Sequence, residues 1–161
     1  EQVAAADLPT IDAGGARARI IMGSLWGASA PTTTYAGTIY ADIELSPGGS
    51  VPIDAEADER AVYLAAGEAT LDGFALDPQT LYVLRPGTTA TLRSATGGRM
   101  MLCGGEAFTT PPHLWWNFVS SDRDRINQAK EDWKAGLFPT VPGDDKEFIR
   151  IPEVPKTVSY P

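Results

Sequence analysis

The chain has 161 residues, with 13 basic and 21 acidic side chains and a formal charge of −8. Its length suits one domain of roughly 100–200 residues, and 43% hydrophobic against 21% charged residues is an ordinary globular composition. The acidic balance excludes a surface built to neutralise phosphates, so no direct nucleic-acid partner is expected. No apolar run approaches the roughly 20 residues that span a bilayer, and no leader-like segment opens the chain.

The first hundred residues read as short strands separated by turns. Arg17–Met22 is an apolar, β-branched run after Gly14-Gly15. In Ile39–Leu45 the apolar Ile39, Ala41, Ile43 and Leu45 alternate with Tyr40, Asp42 and Glu44, the period of a strand with one buried face. Pro47-Gly48-Gly49 turns the chain. Ala61–Ala66 and Glu68–Leu71 flank Gly67, and Asp72-Gly73 is a hairpin signal. Leu81–Leu84, Thr88–Leu92 and Met100–Cys103 follow, divided by Pro86-Gly87 and Gly97-Gly98. Six or seven short strands at this spacing indicate an all-β sandwich or barrel.

After Gly104-Gly105 the character changes. Residues 1–112 are read as the barrel, and 113–161 as an aromatic segment, helix and tail that dock on the barrel or on a partner domain. Ser121 precedes Asp124 by three positions, as in a capping box. Ile126, Ala129, Lys130 and Trp133 then follow at helical spacing to Gly136, a C-cap glycine, about four turns in all. Beyond Pro139 the Pro-rich chain is expected to be irregular. If the stretch His113–Val119 is extended, the adjacent Trp115 and Trp116 point to opposite faces. His113, Trp115, Trp116, Phe118 and Trp133 are therefore the candidate interface residues, on an arm running from His113 to Phe148.

One histidine, His113, and one cysteine, Cys103, limit the chemistry. No site needing two imidazoles can come from this chain alone, and no internal disulfide can form. His113 lies among Pro111, Pro112, Leu114 and Trp115 without an orienting carboxylate in sequence, and reads as structural or interfacial. Cys103 reads as a small hydrophobe on a buried strand. No nucleophile elbow, phosphate loop or dinucleotide fingerprint is present, so no catalytic residue is assigned.

The glycines resemble the cupin pattern, that of small β-barrels whose mouth often holds a metal. Its first motif falls on Gly48, Asp54, Glu56, Arg60 and Gly67. The glycines match, and the ligand positions carry other residues. The second motif falls on Gln79, Arg85, Gly87, Ala90 and Ser94, where only Gly87 matches. Asp54, Glu56 and Glu59 could form a carboxylate site for a hard cation. The alternative is a solvated charged turn with Asp58, and Arg60 in its midst would repel a cation.

The run from His113 to Ser121, then Gln128–Trp133 and Ala135-Gly136, resembles the C-terminal end of pirins. So do Gly104-Gly105-Glu106, Pro142-Gly143-Asp144-Asp145 and Glu147-Phe148-Ile149. The resemblance covers only the second half of a typical pirin. It implies an all-β, cupin-like β-barrel (jelly roll) with a C-terminal α-helix and an irregular tail. Pirins are bicupins whose N-terminal barrel binds iron on histidines and a glutamate, while the C-terminal barrel usually lacks a metal. The His-X-His and His-X-Glu ligand positions would fall on Asp54, Glu56, Ala90 and Leu92, so no metal ligand carries over.

Pirins are associated with a quercetin dioxygenase reaction and with service as transcription cofactors. From the resemblance, the chain is expected to be a metal-free structural and interaction domain without a cofactor of its own. The alternative is that it forms part of an iron-dependent quercetin dioxygenase whose metal sits in a missing N-terminal barrel. Its expected partner is that barrel or a second copy of itself, and a cavity without metal could also hold a small ligand. The single cysteine and absent leader fit a cytoplasmic protein, the Ala- and Gly-rich usage a bacterial one, and the start on Glu1 a processed or excised piece.

Overall fold

The computed structural model describes residues 2–144 and 146–152. Glu1, Asp145 and most of the expected irregular tail, from residue 153 on, lie outside the described residues. The chain divides into two compact units, Glu1–Ala107 and Phe108–Pro161.

Among its described residues, the first unit is built from eleven strands. They are β1 (Thr10–Ala13), β2 (Ala16–Leu25), β3 (Ala28–Ser29), β4 (Thr38–Leu45), β5 (Ser50–Ile53), β6 (Glu59–Gly67), β7 (Thr70–Leu71), β8 (Phe74–Ala75), β9 (Leu81–Val83), β10 (Ala90–Arg93) and β11 (Gly98–Gly105). A large antiparallel sheet runs β1-β2-β4-β11-β6-β9, with β3 paired to β2, and a small one runs β5-β10-β7-β8. Ile20, Ile43, Val62, Met100 and Leu102 of the large sheet and Val51, Ile53 and Leu92 of the small one form a single buried cluster. Two sheets sharing one apolar layer make the jelly-roll architecture read from the sequence. Among the described residues strand pairing does not pass from one sheet to the other, so the layers stack without closing. Asp72-Gly73 is the tip of the β7–β8 hairpin, with positive φ at both residues. The Asp72 carboxylate accepts from the Thr91 amide at 2.7 Å and ties that tip to β10.

Alternation on the large sheet is interrupted at Asp42, which is buried although its neighbours Tyr40 and Glu44 are exposed. Arg99, on the adjacent strand, donates to both carboxylate oxygens, at 2.8 and 2.6 Å. The hydrogen bond from Arg99 holds the Asp42 carboxyl below its ordinary value, against the opposing effect of burial. A group whose folded-state pKa is depressed stabilises the fold above its unfolded pKa, about 4 for Asp, and loses that contribution as pH falls through the lowered value. Urea midpoints of wild type and Arg99→Met should therefore differ by a constant amount at neutral pH and converge in acid. Midpoints that stay equally far apart down to acid pH would remove the pair as the cause.

The second unit contains β12 (His113–Trp115), β13 (Phe118–Ser120) and α1 (Arg123–Lys134). Here the structure corrects two expectations. The N-cap is Asp122, not Ser121: the Asp122 carboxylate accepts from the Asp124 amide at 2.8 Å, and α1 spans twelve residues, about three turns. The C-terminal signal holds, since Gly136 has φ +70 and its amide donates to the Trp133 carbonyl. His113–Val119 is not one extended run but a hairpin whose strands pair Trp115 with Phe118. Trp116 sits in its turn with φ +49. Among the described residues of the tail, the only pairing is an isolated bridge between Val141 and Asp144. No described helix is long and apolar enough to cross a membrane.

Candidate functional site

The eroded motif positions gather at one end of the jelly roll. Asp54 follows the last residue of β5, Arg60 lies near the start of β6, and Ala90 opens β10 opposite Ile53. Asp54 and Glu56 fall in the loop between β5 and β6 rather than on an extended strand, and both are exposed, as are Asp58 and Glu59. Asp58 accepts from the Ala107 amide at 3.1 Å, and Glu106 accepts from the Gly37 amide at 3.5 Å. Among the described residues no group of three or more His, Cys, Asp or Glu is placed to hold a metal.

Arg60 does what the sequence does not foretell. It is 2% exposed, a guanidinium inside the fold with no carboxylate partner among the described residues. Its Nη1 donates to the carbonyls of Ile53 and Asp54, at 3.3 and 2.6 Å. Its Nη2 donates to those of Arg85 and Thr88, at 2.9 and 2.8 Å. One planar fork thus ties the end of β5 to the loop between β9 and β10, a geometry only Arg supplies. Arg60 Nε is buried without a partner. Arg60 borders a cavity of about 60 Å³ walled by Leu25, Trp26, Ile39, Ile53 and Leu102. Trp26, which no sequence motif marks, closes this end with positive φ and donates from its indole to the Pro52 carbonyl at 3.1 Å.

The other singled-out residues lie elsewhere. His113 is exposed on β12, paired with Ser120. Trp115, Trp116, Phe118 and Trp133 are half-buried and pack on one another with Phe138 and Phe148, at centroid distances of 5.1–6.3 Å. The turn at Trp116 makes this possible: it brings the two adjacent tryptophans into edge-to-face contact instead of placing them on opposite faces. Lys130 lies over the Trp115 ring at 4.4 Å, and the Trp133 indole donates to the Ile149 carbonyl at 2.8 Å. These side chains form a half-exposed aromatic cluster within the second unit, with Phe148 61% exposed at its margin.

Cys103 is half-buried rather than buried, because Met100 and Leu102 point inward from β11 and Cys103 alternates with them. Partial burial pushes its thiol pKa up, away from a reactive thiolate. Across the outward face of the large sheet, register aligns Tyr40, Cys103, Ala61 and Val83 in one row. Asp42, Met101, Tyr63 and Leu81 form the next. Val83 is 77% and Leu81 54% exposed on the edge strand β9.

Two stacked antiparallel sheets with glycine-marked turns, and motif positions meeting at one end, define a cupin domain. The profile of the pirin C-terminal cupin domain matches residues 40–139, and the chain belongs to that family. It is 42% identical over 148 residues to a pirin-like protein of Caulobacter vibrioides, covering 92% of this chain and 51% of that protein. It is 26% identical to a Pseudomonas aeruginosa protein whose name proposes quercetin 2,3-dioxygenase activity, over 81% of this chain and 42% of the other. A crystal structure of quercetin 2,3-dioxygenase from Acinetobacter baumannii superposes with a TM-score of 0.83 at 25% identity, over 95% of this chain and 52% of that one. The chain spans about half the length of the curated relatives it matches.

Proposed function

We propose that this chain is a metal-free cupin domain with a structural and interaction role in a pirin-like protein. The observation that carries the reading is Arg60. The donor set at the motif positions does not fit a resident iron: Asp54 and Glu56 are exposed in a loop, Ala90 offers no donor, and a buried cation stands where the cupin pattern has a glutamate. Bringing Fe²⁺ beside an uncompensated guanidinium adds like-charge repulsion to the absence of imidazole. The interaction role is supported by Leu81 and Val83, large apolar side chains exposed on the edge strand β9 of the large sheet. Such a face is the kind that protein contacts cover. Its partner in this reading is a second cupin barrel, supplied by a further domain or by a second copy of the chain.

The alternative is that the chain completes a quercetin dioxygenase whose iron is held in another barrel. The likeness to the Acinetobacter baumannii enzyme, over about half of that chain, favours keeping it. Equilibration with Fe²⁺ followed by desalting and elemental analysis, then a quercetin turnover assay, tests the metal-free reading. Substoichiometric iron and no turnover are expected. One equivalent of iron that is lost in Asp54→Asn with Glu56→Gln would overturn it. Sedimentation equilibrium tests the interaction reading: self-association is expected, and Val83→Glu should weaken it. A chain that stays monomeric at every concentration would sink that part.

A further inference from the structure

At the end of the jelly roll opposite Asp54 and Arg60, the strand β5 begins, β6 and β10 end, and a cavity of about 770 Å³ opens. That volume lies in the range of small-molecule pockets, and no assigned role uses it. The cavity exists because large side chains are scarce around it. Gly67, Ala69 and Ala75 line it where bulkier groups would fill the space, while Leu64, Leu76 and Pro78 supply an apolar wall.

The frame around the cavity is pre-organised, because its polar groups are already bonded to one another. Ser94 Oγ donates to the Glu68 carbonyl at 2.5 Å and accepts from the Gly97 amide at 2.8 Å. The Ser94 amide and carbonyl close on Gly49 and Gly48, at 3.1 and 2.9 Å. A ligand would therefore meet an apolar surface that needs no reordering. Two charged residues border the cavity, Glu68 and Arg93. The Glu68 carboxylate accepts from Thr96 Oγ1 at 3.3 Å, whereas Arg93 forms no ion pair or side-chain hydrogen bond among the described residues. The rim thus carries one charge of each sign, and the one without a hydrogen-bond partner among the described residues is positive.

We propose that this cavity binds a small aromatic monoanion, an aryl carboxylate or sulfonate, with the ring against Leu64, Leu76 and Pro78 and the anionic group at Arg93. The site lies at the opposite end from the eroded metal positions, so it does not depend on the metal-free reading.

8-Anilinonaphthalene-1-sulfonate, an aromatic monoanion, serves as the probe, added to the intact folded chain. Saturable one-to-one fluorescence enhancement is expected, with chemical-shift changes at the Gly48, Gly49 and Gly67 amides. Ala75→Leu should push a larger side chain into the cavity and weaken binding about tenfold or more while leaving the thermal midpoint unchanged or raised, since it adds apolar contact to open space. Arg93→Gln should weaken binding severalfold and remove its salt dependence. Tyr35→Ser, at a fully exposed residue that does not line the cavity, should leave binding unchanged. Non-saturable binding, full affinity in Ala75→Leu, or loss of the signal in Tyr35→Ser would each overturn the proposal.

Discussion

Arg60→Met is expected to destabilise the chain by about 3–5 kcal/mol. Its thermal midpoint should fall by about 10 °C. The side chain is 2% exposed, and the four carbonyls of Ile53, Asp54, Arg85 and Thr88 lose their donors together. Methionine fills much of the volume, so the loss reads the unmet acceptors rather than a void. Arg60→Lys retains the charge but presents three donors from one point. It cannot serve two pairs of carbonyls on separate segments, and should recover less than half of the loss. Both variants should still carry no stoichiometric iron, because removing the cation creates no imidazole. An Arg60→Met variant as stable as wild type by urea denaturation would show that the fork does not brace this end. Amide exchange should place the damage in the β5–β6 and β9–β10 loops before it reaches Ile43 or Leu102 in the buried core.

The longer strands are legible in the sequence, as are the short β7, β9 and β10 that glycine and proline turns delimit, whereas β1, β3, β5 and β8 are not. β4 and β11 show period-two alternation or a dense apolar run because one face of each is in the core. β1, β3 and β8 are two to four residues long, below the length at which a period can be read. β5 contains Pro52, which argues against a strand, yet Pro52 lies outward between the buried Val51 and Ile53 and needs to donate nothing to the ladder there.

The aromatic segment stands out in the sequence, but its geometry does not. Trp116 adopts positive φ without a glycine to announce the turn, so adjacency in sequence implies opposite faces where the fold has one cluster. At the site, the motif spacing picks out Asp54, Arg60 and Ala90, which strand register brings to one end of the jelly roll. It does not reveal that Arg60 turns inward and donates to four backbone carbonyls, because an Arg among Asp and Glu reads as a surface charge. The opposite cavity is illegible for a different reason: it depends on Gly67, Ala75 and Ser94 meeting across strands and turns, which only register defines.

Gly23→Ala is expected to cost about 3–4 kcal/mol, far more than a surface Gly→Ala change. Gly23 has φ +71, which carries about 1–2 kcal/mol for any residue with a Cβ. The larger part is a collision: a Cβ there would strike the Thr38 carbonyl oxygen on β4. That oxygen belongs to the backbone beside the Gly23–Ile39 pair, just past the register shift between Ile20 and Met22, so relief requires opening the β2–β4 ladder. The Gly23 carbonyl also accepts from the Ala30 amide at 2.8 Å, which ties the segment after β3 to the same point. Gly27→Ala is the control. Gly27 has φ +83, but no atom lies within 4 Å of its would-be Cβ, so only the conformational cost of about 1–2 kcal/mol should appear. Urea denaturation of the two variants separates the terms. Equal losses would mean that the close approach to Thr38 contributes nothing, and that the backbone conformation alone selects glycine in this hairpin.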